Sequence, residues 1–212
     1  GEGQDVEGSL EGLIAELVRR APRAPRTVFV GGGTPSWLSV DQLGRLFDAM
    51  HERTGFRDSA EEVTVECNPE SLDGEKARAL VALGATRLSL GFQSLRPDTL
   101  ALFGRVHLVE DCFKAFEAAR ASGAHAVSID LIFGAEGQTP ADWIEDLDKV
   151  IALRPDHLSC YGLTFEEGTQ FTRWLKEGRI ERMPDEDELL LFRITREHAA
   201  KFGYNPYEVS NF

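Results

Sequence analysis

The chain has 212 residues, of which 42% are hydrophobic and 28% charged, with a formal net charge of -13 at pH 7. This composition is typical of a globular protein, and the negative charge disfavours binding to a nucleic acid backbone. No apolar run approaches the roughly 20 residues needed to span a bilayer, and no signal peptide is recognisable. We therefore expect a cytoplasmic protein with no membrane span and no nucleic acid partner.

Short apolar runs alternate with helical patterns along the chain. Strands are predicted at 27–31, 62–69, 86–91, 126–134 and 156–164. Before the first strand, Leu10, Leu13, Ile14, Leu17 and Val18 recur at the spacing of one helix face. Further helices are predicted around 43–50 and at 73–83, 109–121, 141–153 and 185–201. The acidic run at 183–188 is interpreted as a solvated helix start, with a metal role as the weaker alternative.

Strands separated by single helices predict βαβ units and a parallel sheet, either open and doubly wound or part of a barrel. A polar residue lies at or just past the end of each predicted strand: Thr34, Glu66, Gln93, Asp130 and Thr164. Barrels collect ligand sites at that rim, whereas an open sheet uses mainly its switch point. We therefore predict an α/β fold, a partial TIM-like (β/α) barrel at 1–170, followed by a helical extension at 171–212.

A glycine turn, Gly31-Gly32-Gly33-Thr34, follows the first predicted strand. Glycines allow a ligand to approach the backbone closely. A phosphate-binding P-loop would continue with Gly-Lys-Ser/Thr, and Thr34-Pro35 stands here instead. The turn could hold a ligand amine or carboxylate with its backbone groups, or it could simply be a tight connection between strand and helix.

Several polar side chains are candidates for ligand binding. Glu66 and Asp130 lie in apolar strands, where an unpaired carboxylate is costly, so each needs an arginine or a ligand group as its partner. Gln93 can donate and accept, which suits a ribose, an adenine edge or a helix cap. Arg105 could clamp a carboxylate or be a surface residue, and His107 is interpreted as structural. Together they suit an amino acid joined to a nucleoside.

The three cysteines, Cys67, Cys112 and Cys160, lie far apart and form no CxxC pair. Their odd number argues against a disulfide framework. We interpret them as buried free thiols, because an unpaired cysteine packs as a small hydrophobic residue.

Segments spread over most of the chain resemble, in order and spacing, the radical S-adenosylmethionine (radical SAM) family. They are FVGGGTPSWLS, VECNPESL, RLSLGFQSL, FGRVH, IDLIFGAEGQTPADW, HLSCYGLTFEEGT and GYNPYEVSNF. The resemblance runs from about Thr27 to the last residue. Within the family it points to the oxygen-independent coproporphyrinogen III oxidases and to the heme chaperone group, HemW.

Where the motifs match, the resemblance implies that eight residues bind the cofactor S-adenosylmethionine. They are Gly32, Gly33, Thr34, Glu66, Gln93, Arg105, Asp130 and Thr164. The glycine turn would line the methionine end of the cofactor, and Arg105 would clamp its carboxylate. The side chains at the ends of the second, third and fourth strands would satisfy the amine and the ribose hydroxyls. The backbone at Thr164 would lie near the adenine. No catalytic residue is assigned.

The family also uses a 4Fe-4S cluster, held by a Cys-x3-Cys-x2-Cys loop after its first strand. This sequence shows neither that strand nor that loop, and its three cysteines cannot replace them at their spacing. We therefore expect the cluster cysteines upstream of residue 1 and assign no metal ligand here. A truncated C-terminal domain is expected after the helical extension.

Two segments, PYEVSNF and FEEGT, resemble the heme chaperones more than the oxidases. We therefore expect a protein that binds heme as cargo and hands it to respiratory apoproteins. The alternative is the oxidase, an enzyme that oxidatively decarboxylates two propionates of coproporphyrinogen III to give protoporphyrinogen IX. A third reading is a relative that acts on another substrate.

Overall fold

A computed structural model describes residues 5–212. Its strands are β1 (Thr27–Val30), β2 (Glu62–Cys67), β3 (Arg87–Gln93), β4 (Ala126–Phe133) and β5 (His157–Gly162). They form one sheet in the order β1-β2-β3-β4-β5, and the pairs β1–β2, β2–β3 and β4–β5 are parallel. A doubly wound sheet would reverse its order at a switch point. The sequential order and the open sheet over residues 5–212 therefore confirm the predicted partial barrel.

The helices are α1 (Val6–Arg20), α2 (Val40–Thr54), α3 (Phe56–Ser59), α4 (Gly74–Ala82), α5 (Pro97–Leu102), α6 (Val109–Ala121), α7 (Pro140–Ala152), α8 (Gln170–Lys176) and α9 (Asp185–Lys201). The predicted strands and long helices are confirmed, with small differences at their ends. The short helices α3, α5 and α8 were not predicted. Within the described residues, no helix is both long enough and apolar enough to cross a membrane.

By internal packing the described residues divide into two units, and the first comprises residues 5–90 and Phe113–Val127. Its helix α2 begins at Ser39, which forms a capping box with Gln42, and ends at Gly55 in the left-handed conformation. The apolar face of α2 is buried as its periodicity predicts. In α1, by contrast, Leu10 is buried but Leu13 and Val18 are each 51% exposed. The predicted helix is confirmed there, although only part of its apolar face is packed: Ile14 and Leu17 are half-buried.

The second unit comprises Gly91–Cys112 and Ser128–Phe212. Helix α7 begins with a capping box between Thr139 and Asp142, and Pro140 occupies its first turn as predicted. Its buried Trp143 donates from Nε1 to Thr195 Oγ1 of α9 at 2.8 Å. The acidic run forms the first turn of α9, which confirms its interpretation as a helix start. The proposed boundary at residue 170 stays a prediction.

Candidate functional site

The glycine turn of the first unit is shaped around one carboxylate. Gly32 has φ +88°, a left-handed value that favours glycine. A Cβ on Gly31 would lie 2.5 Å from Glu66 Oε2. That same oxygen accepts a hydrogen bond from Gly32 N at 3.1 Å. The structure thus brings the turn and Glu66 together, and the partner of this half-buried carboxylate is a backbone amide instead of an arginine.

Thr34 ends the glycine turn and is held by a neighbour that the sequence analysis did not single out. Asn68 Nδ2 donates to Thr34 Oγ1 at 3.2 Å. Asn68 follows directly after β2, in the NPES segment. Gly33 has room around it, since a Cβ there would meet nothing within 4 Å.

The other predicted cofactor-binding residues belong to the second unit. Gln93, the last residue of β3, has φ +66°. A left-handed backbone is uncommon for residues other than glycine and costs on the order of 1 kcal/mol, so it is retained only where the surroundings fix it. Such strained positions cluster at functional sites. The predicted role of Gln93 therefore gains a structural reason, although its ligand stays a prediction.

The residues just after Gln93 are fixed by a buried carboxylate. Asp146 of α7 is 1% exposed, and its Oδ2 accepts from Ser94 Oγ and from Leu95 N, each at 3.3 Å. Burial raises the pKa of Asp146, and these two hydrogen bonds act in the opposite direction. The sequence analysis missed this residue. Its signal was a charged side chain three positions after Trp143, on the apolar face of the helix.

Arg105 follows α5 and has an unusual environment for a guanidinium. The residue is half-buried, and its buried Nε has no hydrogen-bond partner among residues 5–212. Its backbone N donates to Leu100 O at 2.9 Å, which fixes the start of the side chain. His107 is 2% exposed with Nε2 3.3 Å from Phe92 O, and its structural role stays a prediction.

Asp130 and Thr164 lie on neighbouring strands or just beyond them. Asp130 is half-buried in β4, where its register partner on β5 is Ser159. Thr164 is exposed two residues after β5. It lines a cleft of about 520 Å³ whose walls include Tyr161 and Arg182. The structure leaves the adenine contact predicted for Thr164 as a prediction.

The cysteines are all buried and free, as predicted. Burial raises the pKa of Cys67 to about 12. The pKa of Cys160 is also raised, mainly by burial and to a smaller extent by the negative charge of Asp130. The thiolate is the form that binds metal, so these thiols do not fit an iron–sulfur cluster. Within residues 5–212, no group of three or more His, Cys, Asp or Glu side chains is arranged to hold a metal ion.

Comparison with known proteins places this arrangement in a family. The sequence profile of the family described as the Radical SAM superfamily matches residues 5–150 of this chain. Heme chaperone HemW of Bacillus subtilis is 34% identical over 215 residues, covering 100% of this chain and 57% of that protein. Heme chaperone HemW of Lactococcus lactis is 36% identical over 211 residues, covering 99% of this chain and 55% of that protein.

Among solved structures, coproporphyrinogen III oxidase (HemN) from Escherichia coli, a radical SAM enzyme, matches with a TM-score of 0.83 and 27% identity. The match covers 97% of this chain and 48% of that one. The chain thus spans about half the length of the relatives that it matches. On the family match over most of its residues, and on the shared fold, this chain belongs to the Radical SAM superfamily.

Proposed function

We propose that this chain is the S-adenosylmethionine-binding part of a cytoplasmic heme chaperone, a protein that binds heme and transfers it to respiratory apoproteins. Residues 1–170 form its partial barrel, and 171–212 lead into a further C-terminal domain. Membership of the Radical SAM superfamily supports the binding of S-adenosylmethionine. The named heme chaperones among its relatives support the cargo.

The main observation in support of cofactor binding is the buried Nε of Arg105, which is unpaired within residues 5–212. Its buried Nε lacks an acceptor among the described residues, and leaving such a donor unsatisfied costs roughly 1–3 kcal/mol. The carboxylate of S-adenosylmethionine would supply a charged acceptor with matching planar geometry. Arg105 therefore fits the role of carboxylate clamp.

The glycine turn fits the amine of the same ligand. Glu66 contributes a half-buried carboxylate whose Oε2 already accepts from Gly32 N. An ionised carboxylate offers about four lone-pair sites, so it can also accept from a ligand ammonium. We assign Gly32, Gly33 and Thr34 to the methionine end on this basis.

The remaining assignments concern the nucleoside. Gln93 and Asp130 are proposed to bind the ribose hydroxyls, since both side chains can accept hydrogen bonds from hydroxyl groups. Thr164 is proposed to contact the adenine through its backbone. The family implies a 4Fe-4S cluster that would supply an electron to the cofactor. The described cysteines do not fit that cluster.

The heme chaperone is favoured over the oxidase by the identities of the relatives. Proteins named as heme chaperones are 34% and 36% identical over nearly the whole chain, whereas the solved coproporphyrinogen III oxidase is 27% identical. The fold match to that oxidase, with a TM-score of 0.83, keeps coproporphyrinogen decarboxylation as the second candidate.

Absorbance titration with hemin tests the cargo. The proposal predicts a saturable shift of the Soret band and loss of the bound heme to an added apomyoglobin, used as the acceptor. Anaerobic incubation with coproporphyrinogen III, excess S-adenosylmethionine and a reductant, followed by chromatography, should give no protoporphyrinogen. Absence of saturable heme binding would overturn the chaperone proposal, and accumulation of the decarboxylated product would establish the oxidase instead.

A further inference from the structure

We propose that Asn68 and Lys76 are positioning residues for the glycine turn, residues 31–34, and hold its amides in the orientation that binds the methionine end of S-adenosylmethionine. The inference rests on the proposed function, because it concerns the same ligand. Neither residue was a candidate from the sequence. Both lie within the first unit, in or just after the segment that follows β2.

Two residues near the end of β2, Glu66 and Asn68, form hydrogen bonds with the glycine turn. Glu66 binds the amide of Gly32 at 3.1 Å. Two residues later, Asn68 donates from Nδ2 to Thr34 Oγ1 at 3.2 Å and from its backbone N to Ser36 Oγ at 3.0 Å. The parallel pairing of β1 with β2, with Val30 opposite Val65, sets this register. One short segment therefore fixes the turn and the residues that follow it.

The side-chain amide of Asn68 has a defined orientation. Its Nδ2 donates to Glu70 Oε1 at 3.2 Å as well as to Thr34 Oγ1. The first acceptor is a carboxylate oxygen and the second is a hydroxyl oxygen. A carboxylate can only accept, which excludes the flipped amide. Asn68 is therefore a donor to Thr34, and an aspartate in its place would lose that donor.

Lys76 holds the far end of the same segment. Its Nζ donates to Ser36 O at 2.5 Å. Ser36 is 0% exposed, and its Oγ lies 2.6 Å from Ser71 Oγ. Hydrogen bonds with an ionised donor are roughly twice as strong as neutral ones. The glycine turn contains no lysine of its own, yet α4 delivers an ammonium group to the backbone that follows it.

Such external anchoring matters because glycines are conformationally free. Three consecutive glycines lose more backbone entropy on ordering than other residues would. A ligand that binds their amides must either find them ordered or order them itself, and the second case lowers affinity. Loosening Asn68 or Lys76 should therefore weaken binding of the part of the ligand that contacts the turn, and leave the rest unaffected.

The test compares two probes on the 212-residue chain by equilibrium binding: S-adenosylmethionine and 5′-methylthioadenosine, which lacks the amine and the carboxylate. For Lys76→Met, we expect the Kd for S-adenosylmethionine to rise about 5- to 20-fold, part of what a charged hydrogen bond contributes. The Kd for methylthioadenosine should change less than about 2-fold. Lys76→Arg keeps a charged donor and should restore most of the affinity.

Asn68→Asp is the second variant and should show the same selective loss. The matched control is Lys149→Met, since Lys149 is a helical lysine paired with Glu145 on the surface; it should change neither Kd. Equal losses for both probes in the Lys76 and Asn68 variants would indicate a general structural role and overturn the inference, as would no loss for either probe. If the wild-type chain binds no S-adenosylmethionine, the proposed function itself fails, and this inference fails with it.

Discussion

Replacing Gly31 with alanine tests whether Glu66 is held by the glycine turn. The new Cβ would lie 2.5 Å from Glu66 Oε2 and 2.4 Å from Phe29 Cε1. The ring of Phe29 belongs to a residue that is 65% exposed and can rotate away. The carboxylate of Glu66 must also move, and its hydrogen bond from Gly32 N then breaks.

The expected magnitude follows from that broken bond. Hydrogen bonds to charged groups contribute about 1.5–3 kcal/mol to stability. Glu66 is only half-buried, so water replaces part of the loss. We expect Gly31→Ala to lower the free energy of unfolding by about 1–2 kcal/mol, and to lower Tm by about 3–6 °C for a chain of this length. Affinity for S-adenosylmethionine should fall as well.

Urea denaturation of a double-mutant cycle measures this effect. In a Glu66→Ala background the alanine at position 31 no longer displaces a carboxylate, so its cost should shrink to about 0.5 kcal/mol or less. Gly44→Ala is the control, because a Cβ there meets nothing within 4 Å in the interior of α2. It should stabilise the chain by up to about 1 kcal/mol. An equal loss for Gly31→Ala with and without Glu66 would refute the reasoning.

Three other residues give further tests. Burial raises the pKa of Asp146, so stability from its protonated form is present below the unfolded pKa of about 4 and is lost as pH rises through the folded pKa. Asp146→Asn should remove that part of the pH dependence in urea denaturation above about pH 4, and an unchanged slope would contradict it. Gln93→Gly should leave stability unchanged or raise it by up to about 1 kcal/mol by relieving the left-handed backbone, while S-adenosylmethionine binds more weakly; unaltered affinity would remove Gln93 from the site. Cys67, whose pKa burial raises to about 12, should react with iodoacetamide at pH 7.5 only after unfolding, and rapid labelling of the native chain would contradict its burial.

The strands and long helices could be predicted because their periodicity reflects burial directly. In α2, Leu43, Leu46, Phe47 and Met50 are all buried, as the pattern requires. Periodicity identifies an apolar face but does not identify what packs on it. The exposure of Leu13 and Val18 in α1 shows that limit.

The candidate site could be predicted only in part, for physical reasons. Polar residues at strand ends were recognisable by position, which singled out Glu66 and Gln93. The backbone amide that Glu66 accepts from depends on strand pairing, and the left-handed φ of Gln93 has no signature in a residue other than glycine. Asp146 and Lys76 act from helices on distant backbone groups. Their roles become visible only when the fold brings those groups within hydrogen-bond distance.

Calorimetric titration of S-adenosylmethionine into the wild-type chain and its Arg105→Ala variant tests the central claim most directly. The account predicts saturable binding by the wild type and a loss of about 1.5–3 kcal/mol in the variant, because Arg105 supplies a charged hydrogen bond. The exposed Arg23 is the matched control, and Arg23→Ala should bind as the wild type does. No binding by the wild type, or equal affinity in the Arg105 variant, would contradict the account.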